Sequence, residues 1–124
     1  AAESKLEFAN DSVLLERGGV LRAPVLLKMD IEGFEWQVLP TLLADRNVAP
    51  LQIAMELHYQ TEMQQLSWYG RYKSEAEILA LGQLIAQAGY LITHRADNRV
   101  CKWCTELLLV RLPADAYRRR GDRP

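Results

Sequence analysis

The chain has 124 residues, 49% of them hydrophobic and 25% charged, with a formal net charge of -1. That length and balance suit one globular domain with one core. So small a charge supplies no global field for nucleic acid or an anionic membrane, and no apolar run is long enough to span a bilayer.

The chain opens AAESKLEF, with neither Met nor a signal-like apolar block. This reads as a cut inside a longer chain, so its start carries no information on compartment. Residues 4–17 are mixed and partly helical in pattern, and Gly18-Gly19 ends them. After Pro24, residues 25–30 read VLLKMD. A run this short, nearly all apolar and β-branched at its start predicts a strand covered on both faces. Three carboxylates, Asp30, Glu32 and Glu35, follow within KMDIEGFEW.

Residues 33–44 read as a helix. Phe34, Val38 and Leu42 form its apolar stripe, widened by Leu39 and Leu43. Pro40 predicts a kink or a restart. Asp45-Arg46-Asn47 and Pro50 make the exit loop. Residues 51–58, LQIAMELH, alternate: Leu51, Ile53, Met55 and Leu57 point one way, and Gln52, Ala54, Glu56 and His58 the other. That period belongs to a strand.

Residues 59–73, YQTEMQQLSWYGRYK, are aromatic-rich with weak periodicity. A connection of that length is usually functional or disordered. Ser74-Glu75-Ala76-Glu77 matches a capping box. Ile78, Leu81, Ile85 and Ala88 give the next helix its apolar face, and Gly89 a left-handed stop. Residues 90–95 and 105–112 read as two further strands, joined by a loop carrying Cys101 and Cys104. A lone CxxC offers two of the four ligands of a structural zinc site, and His94 brings the count to three. The pair does not open a helix, as a redox motif would. It reads as ordinary loop thiols or one local disulfide. The end, PADAYRRRGDRP, is polar and carries four arginines that could meet phosphate or acidic lipid; a solvated tail is the simpler reading.

The order strand, helix, strand, long loop, helix, strand, strand implies an α/β fold. The first two strands should pair in parallel and the last two form an antiparallel hairpin. In a parallel pair the ends of the first two strands meet at one rim, where open α/β sheets bind ligands. Asp30, Glu56 and His58 would converge there, walled by Tyr59, Trp68, Tyr69 and Tyr72. Such a group can ligate a divalent metal or supply a general base. Taken singly, each residue has a plainer role. Asp30 can cap the helix. Glu32 and Glu35 can favour its positive end. Glu56 can pair with Lys28.

LLKMDIEGFEWQVLP, followed by a strand ending in MELH, resembles the FkbM-like group of S-adenosylmethionine-dependent methyltransferases. NRVCKWCTELLLV resembles that group's closing hairpin. The resemblance spans residues 25 to about 112. It implies a Rossmann-like class I sheet of which these strands are the fourth to seventh, the seventh inserted antiparallel beside the fifth. Asp30, Glu32, Gly33 and Glu35 match the family motif, and Glu56 and His58 its second strand end. The Gly-rich loop and acidic residue by which such enzymes hold the cofactor are not in this sequence. Residues 1–112 are therefore expected to be the C-terminal, acceptor-side part of a methyltransferase domain, followed by a basic polar tail at 113–124. The expected reaction is O-methylation of a small-molecule or glycan-like acceptor, with Asp30, Glu56 and His58 catalytic, no nucleic-acid partner, and no activity in the isolated piece. Alternatives are an inactive methyltransferase-like binding module and a metal-dependent hydrolase using Asp30, Glu56 and His58. The first strand, central in the intact sheet, would leave an open apolar edge, which predicts self-association.

Overall fold

The computed structural model describes residues 23–60 and 72–113. The segment at 4–17, Gly18-Gly19 and the arginine-rich tail from residue 114 lie outside the described residues. The described residues form four strands and two helices, in the order β1 (Leu26–Met29), α1 (Glu35–Ala44), β2 (Gln52–His58), α2 (Glu75–Gln87), β3 (Tyr90–Asp97) and β4 (Cys104–Arg111).

The strands form one mixed sheet in the order β1-β2-β4-β3. β1 and β2 are parallel, with Lys28 opposite Ala54 and Met29 opposite Met55. β4 inserts antiparallel beside β2, so that Glu56 faces Glu106 and His58 faces Cys104. β3 and β4 are the expected antiparallel hairpin, with a register shift between Ile92 and His94.

Opposed residues share a face of the sheet, so the register sorts the side chains. Met29, Ile53, Met55, Leu107 and Leu109 lie on one face and join Leu39, Leu42 and Leu43 of α1 and Leu81 and Ile85 of α2 in the core. Fully burying a side chain of this kind contributes about 1.5–3 kcal/mol, so this cluster is the main source of stability. Tyr90 closes one end of it, and its hydroxyl donates to the Pro50 carbonyl at the entrance to β2. The other face carries Lys28, Ala54, Glu56 and His58, which brings the polar groups to the rim.

Local chemistry sets the helix ends. Ser74 and Glu77 form the reciprocal capping box of α2. Gly89, at φ 89°, turns the chain out of α2 in the left-handed region that glycine adopts without strain. Pro40 lies inside α1, which runs through it as a single helix without a restart. α1 begins at Glu35 rather than at residue 33, because residues 31–34 are occupied by a turn.

The strand expected to be covered on both faces differs from that reading. In β1 only Met29 is buried, while Leu26 is 55% exposed and Val25, just before it, 65%. The reason is its place in the sheet: β1 is an edge strand among the described residues, with a neighbour on one side.

Candidate functional site

β1 ends at Met29, and the next five residues turn the chain into α1. The turn is closed by the Phe34 N–H donating to the Ile31 carbonyl at 3.2 Å. Its two central residues, Glu32 at φ 56° and Gly33 at φ 102°, both have positive φ. Gly33 takes this conformation freely, whereas Glu32 holds it at a cost of order 1–2 kcal/mol. Strain of this kind persists where the surroundings over-determine it.

Glu35 is what over-determines it. Its side chain is fully buried, at 0% exposure. One carboxylate oxygen accepts the Ile31 N–H at 2.9 Å and the other the Gly33 N–H at 3.0 Å. The first oxygen also lies 3.2 Å from His58 Nδ1. The carboxylate is therefore the hub of the turn, satisfied by two backbone donors and one imidazole, as a buried charge requires.

His58, 6% exposed, ends β2. A carboxylate only accepts, so the short contact to Glu35 puts a hydrogen on Nδ1 and turns Nε2 toward the rim. Nε2 faces Glu32 Oε2 at 3.5 Å and Glu56 Oε2 at 3.9 Å. Asp30, Glu32 and His58 each bring a polar atom within 4.8 Å of the others'. The Trp36 indole N–H donates to the His58 carbonyl at 2.6 Å, tying the end of β2 to the first turn of α1.

Glu56 is held from the hairpin side. Asn98 Nδ2 donates to Glu56 Oε1 at 2.5 Å, leaving Oε2 toward His58. Asn98 in turn accepts the N–H groups of Val100 and Cys101 on its side-chain oxygen. Cys101 and Cys104 are joined in a disulfide that closes this loop. The Tyr59 N–H donates to the Trp103 carbonyl at 2.7 Å, which docks the same loop against the end of β2. At the hairpin's end, hydrogen bonds from Arg95 and Thr105 hold the Asp97 carboxyl below its ordinary pKa.

The three residues expected to converge, Asp30, Glu56 and His58, share the rim, but their expected single roles are corrected. The residue capping α1 is Phe34, with no side-chain cap, so Asp30 does not serve there. Glu56 pairs with Asn98 and not with Lys28. Glu35 does lie in the first turn of α1, as the helix-end reading expects, but fully buried as an anchor, whereas Glu32 precedes the helix. Of the expected aromatic wall, Tyr59 packs against the core, and its burial raises the hydroxyl pKa. Tyr72, 54% exposed, stacks edge-on with Trp103, ring centres 5.5 Å apart. Trp68 and Tyr69 lie outside the described residues. Sequence reasoning missed Trp36, Asn98 and Trp103 as parts of the site. Trp36 was visible inside the motif string. Asn98 and Trp103 gave only the signal of one residue just before the cysteine pair and one inside it.

This arrangement can orient and deprotonate a hydroxyl or amine, or hold a cation. The turn N–H groups of Ile31 and Gly33 are taken by Glu35 and are therefore not open to a ligand. Neither a curated protein nor a solved structure gives a match to the chain. Residues 7–92 match the methyltransferase FkbM domain, which takes in the turn, the end of β2 and its histidine, and on that match the chain belongs to the FkbM methyltransferase family.

Proposed function

We propose that this chain is the acceptor-side part of an S-adenosylmethionine-dependent methyltransferase with a Rossmann-like class I fold, acting on a hydroxyl of a small-molecule or glycan-like acceptor. On this reading, residues 1–112 are the C-terminal part of the catalytic domain and residues 113–124 a polar tail. The observation that carries it is His58: Glu35 fixes its ring and leaves Nε2 facing the rim beside Asp30, Glu32 and Glu56. The exposed edge of β1 supports the domain reading, since it is where further strands of such a sheet would add.

S-adenosylmethionine, when bound, supplies an electrophilic methyl group on a sulfonium. The residues described here act on the acceptor. Asp30 accepts a hydrogen bond from its hydroxyl or a neighbouring one and sets its direction; positioning of this kind accounts for much of the acceleration of a bimolecular step. His58 Nε2 takes the hydroxyl proton as general base, and Glu35 stabilises the resulting imidazolium through Nδ1–H. Glu56 Oε2 adds negative potential on the same side.

The test uses the protein carrying the whole FkbM domain, with labelled S-adenosylmethionine and a panel of hydroxyl and amine acceptors. The expected result is methyl transfer to a hydroxyl that falls by 10²-fold or more in His58→Gln, the usual scale for a general base. No binding heat at millimolar S-adenosylmethionine would overturn the reading. Cofactor binding without transfer to any acceptor would leave a binding module in place of an enzyme.

A further inference from the structure

We propose that Asp30, Glu32 and His58 bind a divalent cation of mixed nitrogen and oxygen preference, of the Mn2+ or Zn2+ class. Their candidate ligand atoms all lie within 4.8 Å of one another. Ligands on one such ion, each about 2.0–2.2 Å from it, are separated by no more than about 4.4 Å. Asp30 and Glu32 are exposed, so their side chains can close that difference by rotation.

A cluster of exposed carboxylates would carry no such inference; the buried imidazole does. His58 Nδ1 is engaged by Glu35, and among the described residues Nε2 has no hydrogen-bond partner. Its nearest carboxylate oxygens, at 3.5 and 3.9 Å, lie beyond the roughly 2.7–3.2 Å of an N–H···O bond. A buried ring nitrogen is thus aimed at carboxylates without donating to them. A carboxylate behind the far nitrogen is the arrangement that orients metal-ligating histidines and raises their basicity.

Charge points the same way. Glu56 stands directly opposite Glu106 across β2 and β4, on the face that carries the rim. Like charges so placed repel, and a cation bound to their neighbours relieves it. The other possible ligand group, Glu56 with Cys101 and Cys104, is unsuited, because its sulfurs are joined to each other and a metal needs thiolates.

In its catalytic consequence this inference rests on the proposed function. An ion held there would occupy Nε2, so the general-base role proposed above for His58 would pass to another group, and the ion would polarise the acceptor oxygen. His58 is then a ligand, and Glu56 Oε2 is the group placed to take the proton. Binding itself needs no acceptor and is testable alone.

The chain is freed of metal with a chelator and titrated with Mn2+ and Zn2+, with Mg2+ as an oxygen-preferring comparison, by calorimetry and native mass spectrometry. One ion per chain is expected, bound at least tenfold more weakly in Glu32→Gln and in Asp30→Asn. Both positions are exposed, so these variants should fold. Glu75→Gln, at the start of α2, should bind as the parent does. No binding of either ion up to 1 mM (about 4 kcal/mol), or equal affinity in Glu32→Gln and Asp30→Asn, overturns the site. Ion binding without methyl transfer by the whole domain upholds the site and overturns the methyltransferase reading. Transfer with no bound ion overturns the site alone.

Discussion

Leu39 and Glu35 lie one turn apart on α1, and neither exposes any surface. Leu39 is held by the apolar cluster beneath the sheet. Glu35 is held by two backbone N–H groups and an imidazole. The core tolerates an apolar side chain of about the right size and shape. The rim requires an acceptor of defined geometry, because its donors are buried with it. One helix thus serves as packing at its centre and as a polar hub at its first residue.

Substitutions that separate these two regions should differ more in what they disturb than in how much they destabilise. The largest effect is expected at Glu35. Replacing it with Ala leaves the Ile31 and Gly33 N–H groups and His58 without their common partner, and should lower unfolding free energy by about 3–5 kcal/mol in urea denaturation. Leu39→Ala should cost a similar 2–5 kcal/mol by opening a cavity. The comparison breaks if Leu39→Ala perturbs the His58 ring resonances as strongly as a change at Glu35 does. A smaller effect is expected at Gly33. A side chain at φ 102° is strained, so Gly33→Ala should cost about 1–2 kcal/mol by the same measurement. A neutral Gly33→Ala would mean that the turn is not built as described.

Much of this was legible in the sequence, and the illegible parts have a common cause. The alternation of LQIAMELH placed Glu56 and His58 on one face, and the strand–helix–strand order made β1 and β2 parallel. Those two facts bring Asp30 and His58 to one rim. The depth of Glu35 was not legible. Periodicity assigns a carboxylate in a first helical turn to solvent, and only the positive-φ turn at Glu32-Gly33 folds the backbone back over it. Asn98 escaped for a similar reason: its partner Glu56 is 42 positions away, and loop residues show no period. The open apolar edge of β1 was expected from the family resemblance, but not from its composition, which reads as a strand covered on both faces.

The account depends most on the hydrogen bond between His58 and Glu35. Long-range nitrogen–proton NMR of the ring, recorded where the imidazole is neutral, reports which nitrogen carries the hydrogen. The account predicts the hydrogen on Nδ1, with Nε2 bare and shifting on addition of Zn2+. A hydrogen on Nε2 would mean that Glu35 does not set the ring, and would contradict both the acceptor site and the cation site.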